Sequence, residues 1–524
     1  MNNNNYYFSE EHELFRQSLR HFLQQEVMPH IDQWEEAQRI PRHVWQKMGQ
    51  MGFLGLSYPE QYGGMGLDFF YDVVFCEETS KCFSGGFAIT QMVVQYMSGP
   101  YILKYGSDKL KEKYLPDIIS GEKISCIGIT EPSAGSDAVN IQTTAIKQGD
   151  YYIVNGSKTF ITNAVYGDFI ITVVKTNPNA GAGGVSLLVI DRHAEGVSAT
   201  KLKKLGWHAS DTAELLFDNV KVPTENLIGN EGQGFYYLMG GLQLERLVGA
   251  VGGYAASEAA LAYSLRYMSE RNAFGRTINK FQVLRHKVAQ LASEIEATKQ
   301  FVLYCARLHN DEKYAVKECS MAKLLATELS DKVMYQCLQF FGGYGFMEEY
   351  KMARMFRDSR VGTIGGGTSE IMREIIAKMI IDDVSYQAAT TQEPNKTKNN
   401  TVTKTQAPTS IPTNHISNNH KNSTQPMSLE SIISGIQAKA AHIPSLGKTL
   451  KFDFGEEFLY IDGSGDSNTV SLEDKDADCV IKVGIDDFKS LLKGDLNPMA
   501  AVMGGKLKIK GDMGVAMKLQ SLFS

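Results

Sequence analysis

The hydrophobic rhythm of the chain changes four times. Phe15, Leu19, Phe22, Leu23 and Val27 recur at the spacing of one helix face, after Ser9 as a candidate N-cap. This texture fills residues 9–120 and predicts helices. From 123 to 230 the pattern shortens. Residues 169–174 and 185–190 are largely apolar runs suited to buried strands, and 152–154 and 159–161 flank Asn155-Gly156, a two-residue hairpin signal. Helical spacing returns between Phe235 and Met379, as in Phe281, Leu284, Val288, Leu291 and Ile295. No proline lies between Pro223 and Pro394, which predicts a bundle of long antiparallel helices. Residues 428–524 read as α+β, with a helix, short alternating strands at 450–454 and 458–461, and a last strand at 506–510.

Composition locates the break. Residues 386–427 hold nine Thr, seven Asn, four Pro and four Lys but only one acid. So little apolar surface cannot offset the entropy of ordering, and the segment reads as a tether spanning about 35–40 Å as a random coil. Every Arg precedes residue 374, so two unlike modules have been joined. The expected division is 1–122 (helical), 123–232 (β), 233–385 (helical bundle), 386–427 (linker) and 428–524 (small α+β domain). A net charge of −6 argues against nucleic acid as a partner, and no apolar run reaches the length of a membrane span. The first residues resemble neither a signal nor a transit peptide, which makes the cytoplasm the default location, or the mitochondrion or peroxisome in a eukaryote. Seven widely spaced cysteines without a C-x-x-C read as thiols rather than as disulfides or a zinc site.

Chemistry is narrowed first by absences. There is no G-x-G-x-x-G, no complete P-loop, no H-E-x-x-H and no G-x-S-x-G, and the 11 His form no tight cluster. Three polar, glycine-punctuated loops remain. Residues 129–137 (I-T-E-P-S-A-G-S-D) gather hydroxyls on one turn, able to aim donors at a phosphate or heterocycle, or else forming an ordinary Asx turn. In 158–163 (K-T-F-I-T-N), alternation puts Phe160 and Thr162 on one face, where an aromatic beside a hydroxyl suits a flat ring or plain core packing. Residues 362–370 (G-T-I-G-G-G-T-S-E) lead into a helix, suiting close ligand approach or a simple cap by Thr368 or Ser369.

Taken in order, C-I-G-I-T-E-P-S-A-G-S-D (126–137), F-I-T-N (160–163), R-N-A-F-G-R-T-I-N-K-F-Q (271–282), Q-F-F-G-G-Y-G-F (339–346) and I-G-G-G-T-S-E-I (364–371) resemble an acyl-CoA dehydrogenase over about residues 6–385. The resemblance implies an N-terminal helical domain, a middle β-domain and a C-terminal four-helix bundle. It also implies bound FAD, a dimer of dimers, and an electron-transferring flavoprotein as acceptor. Transferred by residue, it assigns Thr130, Ser136 and Thr162 to the flavin and its phosphates, with Phe160 against the ring. Arg271, Phe274, Gln282 and Gln339 would reach the FAD of a neighbouring subunit, and Thr368 and Glu370 would close the site.

One departure bears on mechanism. Many members carry the catalytic Glu two residues before the loop Thr, where this chain has Gly366. The long-chain and isovaleryl branches take their base from the first bundle helix, and the matching residue is Glu245 in L-Q-L-E-R-L (242–247), which without the resemblance reads as a helix-surface Glu paired with a nearby Arg. Abstracting the α-proton of a thioester needs a carboxylate whose pKa an apolar setting has raised. By the same analogy the N–H of Gly366 polarises the thioester carbonyl, and Arg246 contacts substrate. Residues 428–524 resemble the sterol carrier protein type 2 fold, which implies a bound lipid or acyl-CoA, with Met513, Met517, Leu519, Gln520, Leu522 and Phe523 as candidate walls or, residue by residue, simply core. The expected activity is oxidation of an acyl-CoA to a trans-2-enoyl-CoA. The alternatives are a lipid-transfer protein with a degenerate dehydrogenase scaffold, or a flavin oxidase with another substrate.

Overall fold

Ser9 caps the first helix, as its position predicts. In this computed structural model its hydroxyl accepts from the His12 amide, and its own amide donates to His12 Nδ1 at 3.0 Å. The structure describes residues 6–391, 447–455, 457–465, 467–492 and 507–511. They divide into two units, Met1–Thr390 and Thr391–Ser524.

In the first unit, α1 (Glu10–Phe22) is followed by α2 (Ile31–Ala37), α3 (Arg42–Gln50), α4 (Phe69–Ser80), α5 (Gly85–Met92), α6 (Gly99–Tyr105) and α7 (Asp108–Ile119). A π-helical segment, Val93–Ser98, joins α5 to α6, so 85–105 form one rod with a widened turn. Its Ser98 hydroxyl meets Ser125 Oγ at 2.6 Å. The apolar positions read as a helix face (Leu19, Phe22, Leu23, Val27) are buried in one core with residues from α4, α6 and the bundle.

The β-domain contains β1 (Ser125–Gly128), β2 (Thr144–Gln148), β3 (Tyr151–Thr162), β4 (Phe169–Lys175), β5 (Val185–Asp191), β6 (Val197–Lys201), β7 (Thr212–Pro223) and β8 (Leu227–Ile228). They form an eight-stranded sheet in the order β6-β7-β3-β2-β4-β5-β8, with β1 parallel to β4. The apolar runs are the buried strands β4 and β5. The hairpin expected at Asn155-Gly156 is absent. Strand β3 runs straight through that pair, with a register shift between Val154 and Gly156 against β7. Asn155 turns its amide across the sheet instead, accepting from the Asn219 amide at 2.8 Å. Gly156 (φ 145°) backs so closely onto Thr143 that no side chain fits. The pair marks a bulge; the turn lies at Gly149, between β2 and β3.

The bundle follows as α8 (Gly234–Glu270), a small hairpin of β9 (Asn272–Ala273) and β10 (Arg276–Thr277), then α9 (Gln282–Asn310), α10 (Val316–Phe341), α11 (Lys351–Ser359) and α12 (Ser369–Thr391). Helix α12 continues past Tyr386, where the sequence places the start of the tether. Helix α8 is the axis of the bundle, and Leu247, Val248, Ala250, Val251, Tyr254 and Ala255 are fully buried along it. In the second unit, β11 (Thr449–Asp453), β12 (Phe458–Asp462), β13 (Thr469–Ser471), β14 (Cys479–Val483) and β15 (Leu507–Gly511) form a sheet in the order β13-β12-β11-β14-β15. Helix α13 (Ile485–Leu492) seats Phe488 against Phe452 and Phe454, with ring centroids 4.8 and 4.9 Å apart.

Candidate active site

Glu245 lies in the middle of α8 and is 7% exposed. Burial pushes its carboxyl up to about 7, against the opposing effects of a hydrogen bond from Tyr101 and the nearby Arg246. Tyr101 Oη donates to Oε1 at 2.9 Å from α6. Arg246 is equally buried, and its Nε has no hydrogen-bond partner. Beyond it on α10, Lys323 is pushed down to about 8 by burial and by Arg246. Lys323 Nζ donates to the Gly367 carbonyl at 2.6 Å. A short chain of neighbours therefore links the carboxylate on α8 to the glycine loop before α12. In that loop Gly366 (φ 65°) is exposed, and nothing lies within 4 Å of the Cβ position it lacks. Thr368 Oγ1 accepts from the Ile371 amide at 3.2 Å and so caps α12, while Glu370 lies exposed in its first turn.

A second cluster forms where the 129–137 loop meets β3. Thr159 donates its amide to the Thr130 carbonyl at 2.8 Å. Lys158, fully buried, donates to Glu131 Oε1 at 2.8 Å and to the Ile129 carbonyl at 3.1 Å. Glu131 also accepts the amides of Gln142 (2.5 Å) and Thr143 (3.0 Å). With the loop latched in this way, a second register shift between Lys158 and Ile161 leaves Phe160 at φ 62° with its ring 70% exposed. A left-handed aromatic residue on a bulge is strained and wetted, and a flat ring laid on it relieves the second cost. Thr130 and Thr162 are half-buried beside it and Ser136 is exposed, so hydroxyls border the ring as a heterocycle with phosphates requires. The residues present fit FAD. Asn163 Nδ2 donates to the carbonyls of Thr90 (3.2 Å) and Ser125 (3.3 Å), tying this strand to the rod that carries Tyr101.

The third cluster stands apart. Arg271 and Gln339 line a surface cleft of about 630 Å³ with Tyr267, Phe341 and Tyr344, and the Arg271 guanidinium lies 5.4 Å from the centre of the Tyr344 ring. Phe274 (φ 51°) is 95% exposed, its ring 6.2 Å from that of Phe281, next to Gln282 at the start of α9. Arg271 follows the last residue of α8, Glu270, which lies ~37 Å along the helix from Glu245 at 1.5 Å per residue. The four residues assigned to a neighbouring FAD thus do not join the Glu245 site within one chain. Met513, Met517, Leu519, Gln520, Leu522 and Phe523 lie outside the described residues.

Sequence reasoning missed Tyr101, Glu131 and Lys323 as site residues. Glu131 and Lys158 stood inside quoted motifs, but nothing in their spacing showed that they pair. For Tyr101 the available signal was Gly240-Gly241, one turn before Glu245.

Models of the acyl-CoA dehydrogenase N-terminal, middle and C-terminal domains match residues 9–122, 126–220 and 232–381. A model of the SCP-2 sterol transfer family matches residues 429–524. The long-chain specific acyl-CoA dehydrogenase of mouse mitochondria (Mus musculus) is 42% identical over 381 residues, 72% of this chain and 88% of that protein. The isovaleryl-CoA dehydrogenase of rice mitochondria (Oryza sativa subsp. japonica) is 36% identical over 379 residues, covering 72% and 92%. Among solved structures, an acyl-CoA dehydrogenase from Geobacillus kaustophilus superposes with a TM-score of 0.70 at 45% identity, covering 72% of this chain and 99% of that one. One from Bacillus anthracis, complexed with FAD, gives 0.69 at 31% identity, covering 73% and 70%. The chain belongs to the acyl-CoA dehydrogenase family and carries an SCP-2 domain after it. It is an FAD-dependent oxidoreductase. No described helix is long and apolar enough to cross a membrane.

Proposed function

We propose that the chain oxidises an acyl-CoA thioester between its α- and β-carbons to the trans-2-enoyl-CoA, with Glu245 as the base. The observation that carries this reading is one buried carboxyl raised to about 7, linked through Arg246 and Lys323 to a loop with glycine at 366. A base must be unprotonated to work and still attract a carbon-bound proton, and a pKa near neutrality serves both needs. FAD, when bound, supplies the hydride acceptor. The exposed, positive-φ Gly366 leaves its backbone open to close approach, so its N–H can donate to the thioester carbonyl as negative charge develops there. Arg246 lacks a partner for Nε and offers that charge a compensating cation. Thr130, Ser136, Phe160 and Thr162 hold the flavin, and Thr368 and Glu370 border the same loop.

Arg271, Phe274, Gln282 and Gln339 serve the site of a second copy, in a dimer of dimers. The distance along α8 and the near-complete exposure of Phe274 support this. Electron-transferring flavoprotein is the proposed acceptor, since one similar structure, 35% identical, is titled for that protein of Acidaminococcus fermentans. A relative from Clostridium sporogenes, 38% identical, is named 3-(aryl)acrylate reductase. The same residues serve either direction, and the acceptor decides which one runs. The proposed location is the cytoplasm, or the mitochondrion in a eukaryote, following the mitochondrial names of several relatives. The SCP-2 domain holds a lipid or acyl-CoA for the enzyme.

An oxygen-free titration with acyl-CoA of graded chain length tests this reading. Bleaching of the flavin band by one class of chain is expected. A yellow protein that none of them bleaches would refute it.

A further inference from the structure

Glu245 has two oxygens and only one is engaged. Tyr101 Oη donates to Oε1 at 2.9 Å, whereas Oε2 makes no hydrogen bond among the described residues. The contact is built by the fold. Any side chain at Gly241 would collide with the Tyr101 hydroxyl, and one at Gly240 would crowd Tyr105 Oη at 3.0 Å. The two glycines let α6 approach α8, and Tyr105 stacks on Tyr237 with ring centroids 4.1 Å apart, pinning the approach on the α8 side. On the other face, the π-helical segment 93–98 sets the phase of the rod so that Ser98 meets Ser125 while Tyr101 points at Glu245.

We propose that Tyr101 is a positioning residue for the base: it fixes the Glu245 carboxylate through Oε1 and leaves Oε2 turned to the substrate, to receive the α-proton. This rests on the reading of Glu245 as the base. The proton passes from the α-carbon to Oε2, and the electron pair of that C–H bond stays on the substrate. A hydroxyl donated to a carboxylate also favours its ionised form, so Tyr101 holds the base below the pKa that burial alone would give it. The other groups around the carboxylate are Arg246 on α8 itself, Tyr105 on α6, and Cys319 and Lys323 on α10 beyond Arg246.

The test is the pH profile of kcat/KM in the flavin-loaded full-length protein, for wild type, Y101F and G241A. Phenylalanine keeps the ring and removes only the donor. Loss of one hydrogen bond to a charged group predicts an acid limb about one pH unit higher. It also predicts kcat lowered about tenfold with KM little changed, because orientation is felt mainly in the transition state. G241A pushes the Tyr101 hydroxyl away from Oε1 and should move the limb in the same direction, which preserves the test if Y101F does not fold. An acid limb unmoved in the folded variant, while E245Q is inactive, overturns the role of Tyr101 alone. Activity retained in E245Q overturns it together with the base assignment.

Discussion

Two buried carboxyls, Glu245 and Asp72, are both pushed up to about 7 by burial, and they sit in different settings. Glu245 lies beside Arg246, whose Nε has no hydrogen-bond partner, and is linked through Arg246 and Lys323 to the glycine loop. Asp72 is enclosed, with the Tyr96 hydroxyl donating to Oδ1 at 3.0 Å and Ser57 also acting to lower its pKa against burial. A folded-state pKa above the unfolded value means that the native protein binds the proton more tightly. The associated stability is complete below about pH 3.8 and is lost as pH rises through 7. At pH 8 the Asp72 carboxylate is therefore a cost, and D72N removes it while still accepting from Tyr96. D72N should stabilise the protein by ~2–4 kcal/mol at pH 8 and by much less at pH 4, read as Tm at the two values. Equal shifts at both would show that Asp72 does not titrate in this range.

At the scale of elements, the flavin-side cluster depends on the latch between β3 and the 129–137 loop. Replacing Lys158 with Met leaves Glu131 buried without its cation, a loss of ~3–5 kcal/mol for a broken buried pair. K158M should purify with less flavin per subunit and a lower Tm, whereas a fully loaded K158M would show that the loop holds its shape without the latch. The same strand shows where sequence reading reaches its limit. Apolar periodicity marked Leu19, Phe22 and the strands β4 and β5, because burial repeats at the period of the element. The bulges at Gly156 and Phe160 are set by what lies across the sheet, Thr143 and Asn219 for the first and the latched loop for the second. An Asn-Gly pair therefore read as a turn. Alternation placed Phe160 and Thr162 on one face but left a flat ring and core packing equally open, and only the family likeness chose between them. Tyr101 was hidden for the same reason, since 144 residues separate it from the carboxylate it touches.

For the whole molecule, the two modules were legible from composition alone: the arginines stop at 373 and a Thr- and Asn-rich stretch follows. The proposed task of the second module is to raise the local concentration of acyl chains at the first, a gain that depends on tether length rather than on new contacts. Removing residues 392–524 should leave reduction by short acyl-CoA unchanged and lower kcat/KM for long chains. Equal values for every chain length, with and without the module, would separate its role from catalysis. Everything else about the enzyme turns on the carboxylate at 245. The most direct measurement is the rate at which an acyl-CoA bleaches the flavin in a single turnover without oxygen, followed from pH 5 to 9 in wild type and E245Q. The rate should rise with pH through about 7 in the wild type and fall about 10²–10⁴-fold in E245Q at equal flavin content. An E245Q protein that bleaches at the wild-type rate, with the same pH profile, would contradict the account.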